Sequence, residues 1–116
     1  MTTHTGSCHC GAIAFSFDGE IGQAMACNCS ICARKGVLMH FSPEAAFRLN
    51  TPEETMGTYR FNTHRIAHHF CPTCGIAPFS RAADKQGTPM VAVNLRCVDG
   101  VDPAALTVQM FDGRSL

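Results

Sequence analysis

The sequence lacks long apolar runs and clusters of charge of one sign. A membrane-spanning helix needs about 20 consecutive apolar residues, and no such run is present, so we expect no membrane partner. Nine Lys and Arg residues balance nine Asp and Glu residues, and the absence of a basic cluster argues against a nucleic-acid partner. Residues 1–6 are polar and carry no apolar core of a secretory signal. We therefore expect a cytoplasmic protein.

The length and the cysteine content set two further expectations. A chain of 116 residues predicts a single domain, 1–116, with a small core. Eight cysteines are many for that length and are typical of either a disulfide-stapled secreted domain or a metal protein. Seven of the eight fall into three short groups with metal-ligand spacing, and we expect no oxidising compartment. The grouping therefore favours metal binding.

Two of the cysteine groups predict one closed metal site. Cys8 and Cys10 form a Cys-x-Cys pair, and Cys71 and Cys74 form a Cys-x-x-Cys pair that ends on Gly75. Alternate residues of an extended segment point to one side, and a tight turn at a glycine can direct two sulfurs at one point. Four thiolates complete the tetrahedral shell of a structural zinc ion. His9, between two ligands, is expected to face away from the metal.

The middle group, Cys27, Cys29 and Cys32, offers three sulfur ligands. One hypothesis is a zinc ion that keeps an open fourth position for a substrate, as catalytic zinc sites do. A second is a closed site whose fourth ligand is Cys97 or a histidine. A third is a redox centre, because Cys29 and Cys32 form a Cys-x-x-Cys motif. Cys97 lies in an apolar stretch, so a buried inert thiol is its simpler interpretation.

Other polar residues flank these groups. Arg34 and Lys35 follow the middle group and could attract an anionic thiol, although a solvated turn is equally ordinary for them. His68 and His69 precede the third group, and in a strand only one of them can face a given site. We expect both to be surface or hydrogen-bonded histidines.

The local patterns indicate a mainly β protein. Short segments with alternating or β-branched residues predict strands, and they are separated by turn residues such as Asp18-Gly19 and Asp99-Gly100. The predicted strands cover 12–18, 23–27, 37–41, 45–49, 57–63, 66–70, 76–80, 90–98 and 107–111. Ser30 is expected to cap one helical turn that ends at Gly36. Pro78 predicts an edge or bulged position.

The three cysteine groups, in this order, resemble those of the glutathione-dependent formaldehyde-activating (GFA) family, which includes relatives of centromere protein V. The segments that carry the resemblance are Gly-Ser-Cys-His-Cys-Gly at 6–11, Cys-x-Cys-x-x-Cys at 27–32 and Phe-Cys-Pro-Thr-Cys-Gly at 70–75. Residues 93–97 and 111–113 are also similar to that family's C-terminal half. The resemblance covers nearly the whole chain.

This resemblance implies a β-tent fold of stacked, short antiparallel sheets organised around a structural zinc. It implies that Cys8, Cys10, Cys71 and Cys74 hold that zinc, and that Cys27, Cys29 and Cys32 hold a catalytic zinc, which we expect to be partly occupied. The implied activity is that of a carbon–sulfur lyase of the S-(hydroxymethyl)glutathione synthase type, which joins formaldehyde to glutathione. A small thiol and a small aldehyde are thus the expected partners.

Two alternatives belong to other functional classes. One is a zinc-stabilised binding module without catalysis, and the other is a zinc-thiolate redox or zinc-buffering protein. The sequence does not indicate the oligomeric state.

Overall fold

Two β-sheets make up most of the structure. The computed structural model describes residues 2–115, which form ten strands, one short α-helix and five single 3₁₀ turns. Three strands form a small sheet and seven form a large one. This content confirms the mainly β class and the stacked-sheet arrangement.

The small sheet contains β1 (Thr3–Ser7), β2 (Ala14–Asp18) and β5 (Phe47–Leu49). The strand order is β1-β2-β5, and both pairs are antiparallel. Phe15 and Phe17 on β2 are buried while Ala14, Ser16 and Asp18 are partly exposed. This alternation is the one that the sequence predicts for a strand with one buried face.

The large sheet has the strand order β10-β3-β4-β9-β8-β7-β6. Its strands are β3 (Ala24–Cys27), β4 (Met39–Pro43), β6 (Gly57–Tyr59), β7 (Ala67–Phe70), β8 (Phe79–Ala83), β9 (Pro89–Asn94) and β10 (Val108–Phe111). Neighbours are antiparallel except β3 and β10, which run parallel. Helix α1 (Ser30–Lys35) links β3 to β4. The parallel pair is a departure from the all-antiparallel expectation, and it places the last strand beside the middle cysteine group.

The core lies between the two sheets and is rich in phenylalanine. The Phe15 ring lies 5.6 Å from the Phe47 ring, and Phe47 lies 5.0 Å from Phe79 of the large sheet. Val91 and Val93 on β9 are fully buried beside them. Aromatic pairs at such distances contribute beyond their buried area, so this layer joins the two sheets.

Strand β1 has no counterpart in the sequence prediction. Its segment, Thr3–Ser7, is polar and carries no apolar alternation. The strand exists because its backbone pairs along its whole length with β2, from Thr3 with Asp18 to Ser7 with Ala14. Such pairing depends on tertiary structure, which overrides local propensity.

Three local predictions were wrong in detail. The N-cap of α1 is Cys29 and Ser30 is its first helical residue, although the helix does end at Gly36 in the left-handed conformation. Pro78 precedes β8, which is an interior strand and neither an edge nor a bulge. The strand predicted over 90–98 ends at Asn94, because Asn94 accepts a hydrogen bond from the Arg96 amide and starts a 3₁₀ turn.

Within residues 2–115, no helix has the length and apolar character that are required to cross a membrane.

Gly6 provides a test of how β1 packs. A β-carbon at Gly6 would lie 2.6 Å from Cζ of Phe15 and against the carbonyl oxygen of Cys97. Overpacking of this kind typically costs about 1–3 kcal/mol. We predict that Gly6→Ala lowers the free energy of unfolding by about that amount, measured by thermal and urea denaturation of metal-loaded protein. Gly22→Ala is the matched control, because no atom lies within 4 Å of a β-carbon at Gly22. Equal stability of the two variants would contradict the packing seen around β1.

Candidate functional site

The first and third cysteine groups meet at one point. Cys8 directly follows β1, whereas Cys71 directly follows β7. The sulfur atoms of Cys8, Cys10, Cys71 and Cys74 all lie within 4.8 Å of one another. The Cys8–Cys10 and Cys10–Cys71 sulfur distances are 3.7 and 3.6 Å. These four residues could therefore hold one metal ion in a closed sulfur shell.

Backbone turns hold these sulfurs in position. Gly75 adopts a φ of 80°, and its amide donates to the Cys71 carbonyl at 2.8 Å. The Cys71 amide donates to the Ile76 carbonyl at 2.9 Å. The Ile13 amide lies 3.3 Å from the Cys8 sulfur, which accepts its hydrogen bond. Amide donors aimed at sulfur favour the thiolate form, which is the form that binds metals.

The acid–base properties of this cluster also fit a metal ion. The backbone of Cys10 and that of Ile76 donate hydrogen bonds that lower the pKa of Cys74 to about 6. A backbone hydrogen bond from Ala12 acts to lower the pKa of Cys10, but its hydrogen bonds with the thiols of Cys71, Cys8 and Cys74, together with partial desolvation, outweigh it and raise that pKa to about 11. Thiols this close cannot all ionise at neutral pH without a compensating charge, and a bound divalent cation supplies it.

The middle group forms a second, three-sulfur cluster. Cys27 ends β3, Cys29 is the N-cap of α1, and Cys32 lies within that helix. Their sulfurs lie within 4.8 Å of one another. Among residues 2–115, no histidine, cysteine, aspartate or glutamate joins them as a fourth ligand at that distance. These three residues could hold a metal ion with one position left for another molecule.

Burial and hydrogen bonding shift the pKa values of Cys29 and Cys32 in opposite directions. Burial raises the pKa of Cys32 to about 12, assisted by its hydrogen bond with Cys29. Burial also opposes ionisation of Cys29, but hydrogen bonds from the backbone and side chain of Cys32 and from Cys27 lower the pKa of Cys29 overall. Cys29 is thus the thiol of this pair that ionises first.

The C-terminal segment fixes the loop that carries Cys27 and Cys29. The Asn28 side chain donates to Asp112 at 2.9 Å and accepts from the Arg114 amide at 2.9 Å. A β-carbon at Gly113 would lie 2.5 Å from the Cys27 sulfur, so only glycine allows this approach. Sequence reasoning did not identify Asn28, Asp112 or Gly113 as site residues, because their contacts depend on the parallel pairing of β10 with β3.

A cavity of about 550 Å³ adjoins the three-sulfur cluster. It is lined by all three cysteines and by mainly apolar side chains, among them Met25, Met39, Phe41, Phe61, Met90 and Phe111. Ligand pockets for small molecules are typically concave, apolar and of this size. The cavity therefore brings a reactive metal-binding group and a binding volume together, which sequence reasoning did not predict.

Lys35 and His68 provide polar groups on the cavity wall. The Lys35 Nζ atom lies 3.4 Å from Nδ1 of His68. Burial lowers the pKa of His68 to about 4, with further lowering by the charge of Lys35, so the imidazole is neutral at pH 7. Burial lowers the pKa of Lys35, while the negative charges of Cys32 and Cys29 act in the opposite direction. The ammonium group thus lies where it can stabilise thiolates of the cluster.

The remaining predicted residues are members of neither cluster, although Cys97 lies close enough to Cys8 and Cys74 that, besides its own burial, their charges raise its pKa to about 11. His9 is exposed and belongs to neither, in line with its expected non-ligand role. Cys97 is half-buried, belongs to neither cluster and accepts a weak hydrogen bond from Asn94. Arg34 is exposed and donates to the Ser30 carbonyl.

His68 and His69 face opposite sides of β7, as alternation requires. Both are buried, so of the two expected alternatives, surface or hydrogen-bonded, the surface one does not apply. The expectation of hydrogen bonding holds, because His68 contacts Lys35 and Nδ1 of His69 lies 3.0 Å from the Thr58 hydroxyl.

The four-sulfur cluster yields a prediction on folding. We expect Cys71→Ser or Cys8→Ser to unfold the protein or make it insoluble. Either variant removes a ligand of the metal ion that would join two distant turns. It also places a hydroxyl group in a buried position. In zinc-finger peptides such binding is worth on the order of 10 kcal/mol. Circular dichroism melting with metal analysis measures the outcome. Cys97→Ser is the matched control and should keep the metal and the cooperative transition. A soluble, cooperatively melting Cys71→Ser variant without metal at that cluster would refute the prediction.

Comparisons with known proteins agree with this geometry. A family model described as "Glutathione-dependent formaldehyde-activating enzyme" matches residues 3–113. A crystal structure of a Rhodobacter sphaeroides protein is similar to this chain with a TM-score of 0.78 and 27% sequence identity, covering 90% of this chain and 99% of that one. The match to the family model spans both cysteine clusters and the C-terminal segment over them. The chain belongs to the glutathione-dependent formaldehyde-activating enzyme family.

Proposed function

We propose that the protein is a zinc-dependent enzyme of the carbon–sulfur lyase type that condenses a small aldehyde with a thiol such as glutathione. The observation that carries this proposal is the three-sulfur cluster at the edge of a 550 Å³ cavity. Family membership supports the same reaction, because the family is named for glutathione-dependent formaldehyde activation. The product with formaldehyde is an S-hydroxymethyl adduct.

The metal is proposed to be zinc at both clusters. Sulfur-only donor sets favour zinc among the common divalent ions. Cys8, Cys10, Cys71 and Cys74 are assigned to a structural ion. Cys27, Cys29 and Cys32 are assigned to a catalytic ion, because three ligands leave a position for a substrate.

The reaction is a balanced addition without redox change. The thiol sulfur forms a bond to the carbonyl carbon, the π electrons of the C=O bond move to oxygen, and that oxygen takes the proton released by the thiol. When bound, zinc supplies the Lewis acidity that holds the incoming thiol as the more nucleophilic thiolate. No side chain of the protein acts as a nucleophile in this scheme.

The chain's own residues position the reactants. The lining of the cavity is mainly apolar, and a lining of low polarity strengthens the electrostatic contacts made beside it. The Lys35 ammonium, held beside His68 at 3.4 Å, favours the negative charge that the thiolate brings. The Asn28 contacts to Asp112 and Arg114 keep the loop of Cys27 and Cys29 in place, so the reactants meet in a prepared site.

The same proposal implies a compartment and a domain. Seven thiols that bind metal must stay reduced, which favours a reducing compartment such as the cytoplasm. Residues 1–116 are proposed to act as one domain, because the four-sulfur cluster draws its ligands from a turn after β1 of the small sheet and a turn after β7 of the large sheet.

Activity tests the proposal directly. Zinc-loaded protein should accelerate adduct formation between glutathione and formaldehyde, and Cys29→Ala should abolish the acceleration while the fold persists, because Cys29 is partly exposed and lies outside the four-sulfur cluster. Rates are followed by NMR exchange between free and adduct glutathione and compared with the spontaneous reaction. Cys97→Ala is the control, since it removes a thiol that belongs to neither cluster.

Two results would contradict the proposal. Equal rates with and without protein across several small thiols would favour the non-catalytic binding module. A disulfide that forms reversibly among Cys27, Cys29 and Cys32, without any rate gain, would favour the redox interpretation.

The two clusters should differ in how readily they lose metal. A closed four-sulfur shell releases its ion only when the fold opens, whereas three sulfurs with an exchangeable fourth position allow stepwise dissociation. We predict that mild chelation removes about one equivalent of zinc with little change in the melting temperature, and that the second equivalent leaves on unfolding. Metal analysis after each chelation step, together with a melting curve, measures this. Loss of both ions in step with unfolding would make the three-sulfur cluster structural too.

A further inference from the structure

The floor of the cavity is one face of the large sheet. Side chains alternate along each strand, so the strands that bury Val91, Val93 and Phe79 against the small sheet direct their other residues into the cavity. Met25 on β3 pairs with Met39 on β4. One step further along the strands, Phe41 pairs with Ala92 of β9, and beyond it Met90 pairs with Ala82 of β8. All six of these paired residues line the cavity.

This floor extends away from the three-sulfur cluster. Cys27 lies two residues beyond Met25 on β3, and each two-residue step along a strand covers about 7 Å. The row of Met25 and Met39 therefore lies about 7 Å from Cys27, and the row of Phe41 and Ala92 about twice as far. Formaldehyde, with one carbon, would cover almost none of this floor, and the carboxylates of glutathione would find no cationic partner at its centre.

Charge is sparse on this surface. Among the described residues that line the cavity, Lys35, Asp84 and Lys85 are the ones with ionisable acidic or strongly basic side chains. Lys35 lies three residues after Cys32, whereas Asp84 and Lys85 belong to the loop between β8 and β9. The central floor therefore offers dispersion contacts and no partner for a charged substrate group.

We propose that the aldehyde substrate carries an apolar body that lies on this floor, with its carbonyl carbon at the three-sulfur cluster. An aliphatic chain of roughly six carbons spans one row spacing of about 7 Å and would reach the side chains of Met25 and Met39. The product is then a hemithioacetal, formed by the same addition of the thiol sulfur to the carbonyl carbon. This inference rests on the proposed function and narrows its substrate.

Hexanal and propanal make a sharp comparison, because simple alkyl aldehydes have closely similar intrinsic reactivity. Burial of one methylene group is worth a factor of about three to four in binding. With zinc-loaded protein and a fixed thiol, kcat/KM for hexanal should exceed that for propanal at least tenfold, after the spontaneous rate is subtracted. A gain for formaldehyde or propanal without a gain for hexanal would overturn this inference and leave the proposed function intact.

Substitutions in the floor test whether the preference for hexanal over propanal depends on the cavity. Ala77 lines the cavity, and its carbonyl accepts a hydrogen bond from the side chain of Asn94, which pairs with Met39. Ala77→Leu therefore fills volume beside the row of Met25 and Met39 that the chain would occupy. It should lower the hexanal-to-propanal ratio of kcat/KM toward one. Ala104→Leu is the matched control, because Ala104 is exposed in a 3₁₀ turn away from the cavity, and it should keep the wild-type ratio. An unchanged ratio in Ala77→Leu would overturn the assignment.

A second variant tests the same inference in case the first does not fold. Met39 is partly exposed and lines the cavity, so Met39→Asn removes apolar floor at little expense of packing. It should also lower the ratio. Wild-type preference in a folded Met39→Asn protein would argue against the floor as the binding surface.

Binding measured without catalysis separates this inference from the proposed reaction. Saturation-transfer NMR with 1-hexanol, which cannot form the adduct, should detect contact with wild-type protein and a weaker effect with Ala77→Leu. If no aldehyde reacts but hexanol binds in this way, the proposed function fails while the apolar site stands. If sedimentation shows a dimer that Met39→Asn dissociates, and hexanol does not bind, the floor is covered by a second copy and the inference is wrong.

Discussion

The convergence of four cysteine sulfurs from two distant turns is the constraint on which the rest of the structure depends. Cys10 and Cys71 are 61 residues apart in sequence, yet their sulfurs lie 3.6 Å apart. Tying these turns together closes the segment from β2 to β7 into one loop and restricts the unfolded chain. Four sulfurs at such distances repel one another once ionised, so a bound cation makes this junction favourable. The phenylalanine layer around Phe15 and Phe47 then packs between two sheets that the four-sulfur cluster already joins at the ends of β1 and β7.

The large sheet carries the core and the candidate site on opposite faces. Alternation along β9 places Val91 and Val93 in the core and Met90 and Ala92 in the cavity. A shift of one residue in the pairing of β9 with β4 would exchange these two sets. The register that gives the protein its core therefore also gives the cavity its apolar floor, and neither can be altered independently by sliding a strand.

Sequence reasoning predicted those features that depend on local spacing. The two cysteine clusters followed from the Cys-x-Cys and Cys-x-x-Cys groups, and most strands followed from alternation. Strand β1 and the cavity floor could not be predicted in this way, because they arise from pairing between distant segments. The same holds for the contacts of Asn28 with Asp112, which require β10 to run parallel to β3. Parallel pairing of two short strands leaves no local signal in either of them.

The two clusters differ in how many segments of the chain supply their ligands, and this difference bears on their roles. The middle cluster is positioned by hydrogen bonds that do not involve a metal. The Asn28 amide donates to the Phe111 carbonyl at 3.1 Å, its side chain is bonded at both ends, and the Gly36 amide closes α1 on the Cys32 carbonyl at 3.0 Å. A site so prepared can exchange its fourth ligand without rebuilding its first three. The four-sulfur cluster joins turns from the small and the large sheet, so its geometry and the sheet packing depend on each other. Exchange of a metal ligand is therefore compatible with the arrangement of the three-sulfur cluster and incompatible with that of the four-sulfur cluster.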